Sequence, residues 1–321
     1  MKQFDWGQGF FAILVCWLGL VLCLMLPLQS KAAEEGTPCT PEPTDMSIAY
    51  GDLVTCSIGV SGDSDVFRFS GNNGEIILLQ ATWQSGSMRP CLELVAPDGT
   101  DLKACENSFT NRIDTTLGQT GIYTILISDV FGTGTGGYAV ALESIIPPSF
   151  SAQLIEYAQT LQDEINPTGD VDLFYFEGTT SDTIAVEGTW QSGSMRPCIE
   201  MVAPDNTRLK ACENSFTNRI DTTLDQTGTY VILVTDVFGT GTGEYALDLQ
   251  CLAGPCVPFS APDVSGCIKL KGAPLAGSKV ILKQRGEDNQ DTSTDAKGCY
   301  EFESAASGKK FKVIIKGPKV P

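Results

Sequence analysis

Two pairs of aspartates have the residue type and spacing that could hold a metal ion. Asp63 and Asp65 form one Asp-x-Asp pair, and Asp170 and Asp172 form the other. In a loop, such a pair places two hard oxygen ligands on one side of an extended backbone, as calcium requires. The alternative is that the first aspartate caps a turn and the second is a solvated residue at the start of a strand. We therefore expect no required cofactor and keep calcium as a candidate ligand of these four aspartates.

Tryptophans and arginines offer a second kind of site. Trp83 and Trp190 could stack on sugar rings, although each ends an apolar run, where an indole more often closes a core. Arg89 and Arg196 stand in the same short blocks and could recognise a ligand. We keep these four residues as candidate binding residues, with core packing and salt bridging as the structural alternatives. Other charged residues that could pair with them are Glu106, Arg112, Glu213 and Arg219.

Catalysis finds little support in this sequence. The chain has no histidine, which removes Ser-His-Asp and Cys-His arrangements and every His-ligated metal site. Residues 132–137 fit the pattern GxGxxG, but residues 138–142 predict a strand, whereas the dinucleotide fingerprint needs a helix there. Paired carboxylates of the glycosidase kind stay open as an alternative. We expect that the protein is not an enzyme.

A long tandem repeat must position these residues. Residues 62–142 recur as residues 169–249 without insertion or deletion. Three blocks occur in both copies: TWQSGSMRPC at 82–91 and 189–198, KACENSFTNRIDTTL at 103–117 and 210–224, and DVFGTGTG at 129–136 and 236–243. A repeat of this length predicts two copies of one domain and argues against a single active site across them.

Strand signals dominate both copies. Runs such as YTILIS at 123–128 and YVILVT at 230–235 are broken by Gly, Asn, Asp and Ser clusters. This spacing of short β-rich runs is typical of an antiparallel sandwich. The sequence therefore predicts an all-β chain.

The cysteines predict disulfides. The turn at 97–100 makes a hairpin that sets Cys91 opposite Cys105, and the second copy sets Cys198 opposite Cys212 in the same way. We expect the other cysteines of the exported chain to pair locally as Cys39–Cys56, Cys251–Cys256 and Cys267–Cys299.

The N-terminal sequence indicates the compartment, and the net charge limits the possible partners. A basic start, an apolar stretch and a small-residue context at 30–33 predict an export signal over residues 1–33, with an uncleaved anchor as the alternative. We expect a secreted, periplasmic or cell-surface protein with disulfides. The chain has a net charge of −18, and the acidic balance of the two repeats argues against nucleic acid and anionic membranes as partners of that region. Membrane contact is expected only through an uncleaved N-terminal segment.

The repeats resemble a known family. Each copy opens with GDSDVFRF (62–69) or GDVDLFYF (169–176) and continues with APDGT or APDNT, TGIYTILISD or TGTYVILVTD, and GGYAVAL or GEYALDL. This order resembles the bacterial pre-peptidase C-terminal (PPC) domain, a jelly-roll-like sandwich found beside secreted proteases and in surface proteins. The resemblance implies an accessory role, and some members of the family bind calcium near the first motif. The SMRPC block departs from the commonest form of the family, in which an aspartate-rich stretch often stands.

The last segment resembles a carboxypeptidase-regulatory-like, transthyretin-like sandwich, which is an accessory module. The resemblance rests on SGCIKLKGAPLAGSKVILKQ (265–284), TSTDAKGCYEFES (292–304) and GKKFKVIIKG (308–317). The predicted organisation is an export segment at 1–33, PPC-like repeats at 38–146 and 149–252, a linker at 253–263, and the regulatory-like domain at 264–318. The expected fold is two tandem jelly-roll-like β-sandwiches and a small C-terminal sandwich of immunoglobulin or transthyretin type.

These observations predict a non-catalytic binding or adhesion protein of bacterial origin. The expected partner is an extracellular polysaccharide or a matrix or envelope protein, bound with avidity through the two copies. A structural spacer of the cell envelope and an accessory chain of a secreted peptidase are the alternatives. The sequence leaves the oligomeric state open.

Overall fold

The structure is a computed structural model that describes residues 36–39, 44–257, 264–270, 273–284, 290–302 and 311–316. The predicted export signal at 1–33 lies outside these residues. The described residues form strands and turns with no helix, so none of them forms a helix long and apolar enough to cross a membrane. The all-β prediction is confirmed.

The first copy folds into two sheets. Its strands are β1 (Thr37–Pro38), β2 (Asp45–Ser47), β3 (Asp52–Ile58), β4 (Ser64–Gly71), β5 (Ile76–Trp83), β6 (Pro90–Val95), β7 (Asp101–Ala104), β8 (Thr110–Thr116), β9 (Gly121–Asp129) and β10 (Gly136–Ile146). Strands β2-β4-β9-β6-β7 form the sheet we name outer sheet 1, and strands β1-β3-β10-β5-β8 form inner sheet 1. The pairs β1–β3 and β2–β4 are parallel, and the other pairs are antiparallel.

The second copy repeats this arrangement. Its strands are β11 (Gln153–Leu154), β12 (Gln159–Ile165), β13 (Asp172–Gly178), β14 (Thr183–Trp190), β15 (Pro197–Val202), β16 (Arg208–Ala211), β17 (Thr217–Thr223), β18 (Gly228–Asp236) and β19 (Gly243–Ala253). Strands β11-β13-β18-β15-β16 form inner sheet 2, and strands β12-β19-β14-β17 form outer sheet 2. By sequence, inner sheet 2 is the counterpart of outer sheet 1, and outer sheet 2 is the counterpart of inner sheet 1.

Alternation along the strands explains the two sandwich cores. In β9, Tyr123, Ile125 and Ile127 are at most 2% exposed and pack between the sheets, while the residues between them point outward. A fully buried isoleucine contributes about 2 kcal/mol by removing its side chain from water. The equivalent residues of β18 close the core of the second copy.

A third apolar cluster joins the two copies. The outward residues of inner sheet 1 pack on the outward residues of inner sheet 2, so the four sheets form one stack with the two outer sheets at its ends. The first copy contributes Leu53, Ile76, Leu78, Ala139, Ala141 and Ile145, and the second contributes Val171, Leu173, Tyr175, Val202, Val231 and Leu233. The strands that meet here are buried on both faces, as the continuous burial of β5 shows.

Short strands make up the last segment. They are β20 (Val264–Cys267), β21 (Lys269–Leu270), β22 (Ala273–Pro274), β23 (Lys279–Gln284), β24 (Gln290–Ser293), β25 (Cys299–Phe302) and β26 (Phe311–Lys316). A small cluster of Val280, Leu282 and Phe302 forms a core. The transthyretin-like identity and the predicted domain boundaries stay predictions.

All five predicted disulfides are present. The hairpin of β6 and β7 pairs Leu92 with Ala104, which sets Cys91 opposite Cys105 as the turn predicts. The other pairs are Cys39–Cys56, Cys198–Cys212, Cys251–Cys256 and Cys267–Cys299.

Candidate binding shelves

The blocks shared by the two copies meet at one end of each sandwich. In the first copy, the Trp83 N–H donates to the Phe109 carbonyl at 2.7 Å, and the Arg89 N–H donates to Asp129 Oδ1 at 2.8 Å. The Val130 N–H in turn donates to the Arg89 carbonyl at 2.9 Å. These bonds tie the end of β5, the start of β8 and the glycine-rich loop after β9 into one surface.

An arginine stacked on aromatic rings is the centre of this surface. The Arg89 guanidinium carbon lies 4.1 Å from the Phe109 ring centre and 6.0 Å from the Trp83 ring centre. The two rings meet edge to face with their centres 5.1 Å apart. Arg89 also donates from Nη1 to the Met88 carbonyl at 2.7 Å. We name Trp83, Arg89 and Phe109 the first shelf.

The second copy reproduces this geometry. Arg196 lies 4.1 Å from the Phe216 ring centre and 6.0 Å from the Trp190 ring centre, and the two rings are 5.0 Å apart. The Arg196 N–H donates to Asp236 Oδ1 at 2.7 Å. We name Trp190, Arg196 and Phe216 the second shelf.

Both shelves expose aromatic side chains to solvent. Phe109 is 41% exposed and Phe216 is 54% exposed. Phe131 and Phe238, in the adjoining glycine-rich loops, are 61% and 57% exposed. Trp83 is half-buried against the core and donates from Nε1 to the Gly86 carbonyl at 3.2 Å, so it closes the core and borders the shelf. Clusters of exposed apolar side chains on a soluble protein mark interaction sites.

A buried aspartate fixes each glycine-rich loop. Asp129 Oδ2 accepts backbone N–H bonds from Phe131, Thr133 and Gly134 at 3.2, 3.0 and 2.7 Å, in addition to the Arg89 bond on Oδ1. Burial raises the pKa of Asp129, but these N–H donors outweigh it and hold the pKa below its ordinary value. The GxGxxG match is therefore a hairpin loop, as the following strand predicts.

Close backbone contact explains the glycines in that loop. A Cβ on Gly136 would lie 2.0 Å from the Ser85 carbonyl oxygen, and Gly136 has a φ of 147°. Gly243 has the same constraint against Ser192 in the second copy. The loop that carries Phe131 is thus packed against the segment that follows β5, next to the first shelf.

The Asp-x-Asp pairs form hydrogen bonds within the fold. Asp65 and Asp172 are buried, so their interpretation as solvated residues is wrong; they accept hydrogen bonds from the Tyr138 and Tyr245 hydroxyls at 2.5 and 2.7 Å. Burial raises the pKa of Tyr245 well above its ordinary value, and the Asp172 carboxylate raises it further.

The first aspartate of each pair caps a turn. Asp63 Oδ1 accepts from the Ser64 N–H at 2.8 Å, and Asp170 accepts from the Asn166 and Val171 N–H groups at 3.1 and 2.9 Å. Over the described part of the chain, no three acidic or cysteine side chains form a group that could hold a metal ion. Calcium binding stays a prediction.

The other charged residues of the shared blocks pair differently from what the sequence predicts. Arg112 binds Asp114 at 2.6 Å and Glu200 of the second copy at 3.1 Å, whereas Glu106 shows no ion pair among the residues described. Arg208 binds Asp114 at 2.9 Å and also Glu200. The expected pairing of Arg89, Arg112 and Glu106 with one another is wrong, because Arg112 lies in the interface between the copies.

The first shelf also adjoins the second copy. A Cβ on Gly239 would lie 2.2 Å from Thr110 Oγ1, and a Cβ on Gly169 would lie 2.6 Å from Thr82 Cβ. Gln84 donates from Nε2 to the Thr168 carbonyl at 3.3 Å. The loop that carries Phe238 therefore lies beside the start of β8, which directly follows Phe109.

Comparison with known proteins gives weak similarities. No family model and no curated protein matches the chain. Among solved structures, the PPC domain of a collagenase from Bacillus anthracis is 14% identical, with a TM-score of 0.28 over 31% of this chain and 94% of that one. PliG, a periplasmic inhibitor of g-type lysozyme from Aeromonas hydrophila, is 16% identical, with a TM-score of 0.23 over 31% of this chain and 96% of that one.

A third solved structure covers a larger share of this chain. The CUB1-EGF-CUB2 domains of rat MASP-1 are 8% identical, with a TM-score of 0.20 over 64% of this chain and 99% of that one. One of these structures is a PPC domain, the family that the repeat motifs resemble.

Proposed function

We propose that the chain is a non-catalytic exported binding protein whose two shelves hold a repetitive extracellular polysaccharide or a matrix protein. The duplication of the shelf carries this proposal. The blocks that build the shelf are the same in both copies, whereas the turn at the opposite end of β5 reads NNGE at 72–75 and TTSD at 179–182. The unchanged blocks thus include every residue of the shelf, although one of them continues along β8 to Leu117, beside the turn that differs.

The chemistry of the shelf suits a ligand with both apolar and polar faces. Ring faces such as those of Phe109 and Phe216 pack on the C–H face of a sugar or on an apolar side chain. One Arg89 N–H is bound to the Met88 carbonyl, and a guanidinium carries five donors. The others can reach hydroxyl or carbonyl oxygens of the ligand.

Two shelves on one chain raise the strength of binding to a polymer. When the first shelf is bound, the second shelf is held at a high effective concentration near the next repeat of the polymer. A weak single site is therefore sufficient for firm retention on a repetitive surface. No residue of either shelf needs to react with the ligand.

The test is a pull-down of the exported chain on insoluble polysaccharides and on collagen, each with calcium and with a chelator. We expect wild-type protein to be retained on at least one matrix and Phe109→Ser/Phe216→Ser protein to be released. Ile122→Ser is the matched control, because Ile122 is 57% exposed but lies at the start of β9, at the opposite end of the sandwich. Equal loss in the control, or no retention of wild type on any matrix, overturns the proposal.

The chelator arm tests calcium separately. Loss of retention in chelator supports the predicted site at Asp63, Asp65, Asp170 and Asp172. Retention in both conditions supports the shelves as the binding surface and shows that binding does not require calcium.

A structural spacer is the second candidate, and the interface between the copies favours it. The apolar cluster and the Arg112–Glu200 and Arg208–Asp114 bonds hold the repeats as one stiff unit. Envelope co-purification without retention on any matrix would select this candidate.

A further inference from the structure

The interface between the two copies joins unlike faces of the same domain. Inner sheet 1 and inner sheet 2 derive from opposite sides of the repeat, so the contact is heterologous. A heterologous contact that does not close on itself can propagate from molecule to molecule. Each chain accordingly ends in two faces, outer sheet 1 and outer sheet 2, that are by sequence the two halves of this same interface.

Six of the twelve apolar residues of the interface have polar or charged counterparts on the end faces, and the other six have apolar ones. Outer sheet 1 has Ser64, Arg68 and Thr124 where inner sheet 2 has Val171, Tyr175 and Val231. Outer sheet 2 has Thr183, Ala185 and Asp248 where inner sheet 1 has Ile76, Leu78 and Ala141. Two of these replacements introduce a charge at a position that is buried in the interface.

Some polar contacts of the interface lose their complementarity on the end faces, and others keep it. The Gln84–Thr168 and Arg112–Glu200 contacts keep it, because their counterparts are Gln191 and Ser61, and Arg219 and Glu93. Gln80 donates from Nε2 to the Gly169 carbonyl at 3.3 Å. The equivalent residues are Glu187 and Gly62, so an acceptor would face an acceptor.

One of the two ion pairs of the interface is also lost on the end faces. Arg208 binds Asp114 at 2.9 Å, whereas the equivalent residues are Asp101 and Asp221. Two carboxylates would then face each other, and like charges set against each other oppose association.

The shape of the interface is nevertheless kept on the end faces. Gly169 and Gly239 let the second copy approach Thr82 and Thr110 of the first. Their counterparts are also glycines, Gly62 and Gly132, and the facing threonines have the counterparts Thr189 and Thr217. The end faces thus keep the close-approach residues, while half of the apolar residues and some of the charges differ.

We propose that the two outer sheets are a disabled copy of the interface between the repeats, matched in shape to a second copy of this chain but repelling it. The substitutions keep each chain as a closed unit with two shelves. The inference does not depend on what the shelves bind.

Two complementary variants of the full chain test this. The first variant gives outer sheet 2 the interface residues of inner sheet 1, with Thr183→Ile, Ala185→Leu, Glu187→Gln and Asp248→Ala. The second restores outer sheet 1 with Ser64→Val, Arg68→Tyr, Asp101→Arg and Thr124→Val. We expect each variant alone to sediment as a monomer and an equimolar mixture to sediment as a dimer, because the contact needs one restored face of each kind.

A charge-reversal control tests whether dimerisation depends on the restored contact. Adding Asp221→Arg to the first variant places two arginines opposite each other, and we expect dimerisation to weaken at least tenfold. If the full sets of substitutions impair folding, Glu187→Gln/Asp248→Ala mixed with Asp101→Arg is the reduced pair, checked by thermal unfolding. A mixture that stays monomeric, self-association of either variant alone, or head-to-tail oligomers of the wild type overturns the proposal.

Discussion

The Arg89 guanidinium lies over the Phe109 ring, with its central carbon 4.1 Å from the ring centre, and a hydrogen bond from Nη1 to the Met88 carbonyl holds it there. Arg196 lies on Phe216 at the same distance. A cation over an aromatic face is worth about 0.5–1 kcal/mol at an exposed site. Because the arginine is already stacked and bonded, it loses little conformational freedom when a ligand binds.

Replacing the stacked arginines by lysine tests the shelves. Lysine keeps the charge but lacks the planar group that stacks on the ring and donates in a fork. We expect Arg89→Lys and Arg196→Lys each to weaken binding about tenfold, which corresponds to about 1.4 kcal/mol. The measurement is a depletion isotherm on whichever matrix retains the wild type.

The control for this series is Arg219→Lys. Arg219 is an exposed arginine on outer sheet 2 that binds Asp221 and Glu187, so its replacement should leave the isotherm unchanged. The double variant Arg89→Lys/Arg196→Lys should bind more weakly than either single variant, since avidity requires both shelves. Equal binding by all variants would contradict the role of the arginines.

Phe238 and Phe131 provide an asymmetric test of the same surface. They occupy the same position in the two copies and are exposed to a similar degree, at 57% and 61%. Gly239 contacts Thr110, so the Cα atoms of Phe238 and Phe109 lie within about 14 Å, given about 3.8 Å between neighbouring Cα atoms. We expect Phe238→Ser to reduce retention more than Phe131→Ser, because Phe238 adjoins both shelves. The reverse order in the depletion isotherms would argue that each loop serves its own shelf alone.

Much of the fold follows from local sequence. The turn at 97–100 sets the register of β6 and β7 and hence the Cys91–Cys105 pair. The alternation of buried and outward residues along β4 also predicts the position of Asp65. Asp65 lies two residues before the buried Phe67, so it points to the same inner face of the sheet. The tyrosine that binds it, Tyr138, is brought to it only by the tertiary fold.

The shelves were predictable in part. Trp83 and Arg89 share one short block, but Phe109 lies on a distant segment that reaches them only because Thr82 of β5 pairs with Thr110 of β8. Nothing in local periodicity reveals that pairing.

Sequence differences between the two copies indicate where the interface between them lies. The strand IILL at 76–79 is apolar on both faces, whereas its counterpart TIAV at 183–186 has a polar first residue. Strands buried on both faces read as continuous apolar runs. When every second residue of a strand is apolar in one copy and polar in the other, that face of the strand is buried in the first copy only.

Tyr175→Arg tests how firmly the copies are held together. Tyr175 is 7% exposed in the interface, and the first copy has Arg68 at this position. We expect the arginine to cost roughly 3 kcal/mol, because a charge enters an apolar contact. Calorimetry should then show two unfolding transitions in place of one coupled transition of the repeats.

The reciprocal replacement is the control for Tyr175→Arg. Arg68→Tyr on outer sheet 1 should change the stability by less than about 0.5 kcal/mol, as is usual for surface substitutions. A single unchanged transition in Tyr175→Arg would show that the interface contributes little to the coupling of the copies.

Asp129→Asn tests whether the buried carboxylate holds the shelf loop. An amide in this place cannot accept from all four N–H groups that now bind the two carboxylate oxygens. We expect a loss of about 2 kcal/mol in the free energy of unfolding at pH 7, since hydrogen bonds to a charged group are stronger than neutral ones. Urea denaturation of both proteins measures the difference.

The pH dependence of that difference is set by the pKa of Asp129. The N–H donors hold the pKa in the folded protein below its ordinary value, which is about 4 in an unfolded chain. The stabilising effect is therefore complete above about pH 5 and declines as the pH falls through about 4 toward the folded pKa. The asparagine variant has no such titration, so the gap between the two unfolding free energies should narrow between about pH 5 and pH 3. A gap that stays constant over this range would mean that the loop is held by its packing against Ser85 and not by the carboxylate.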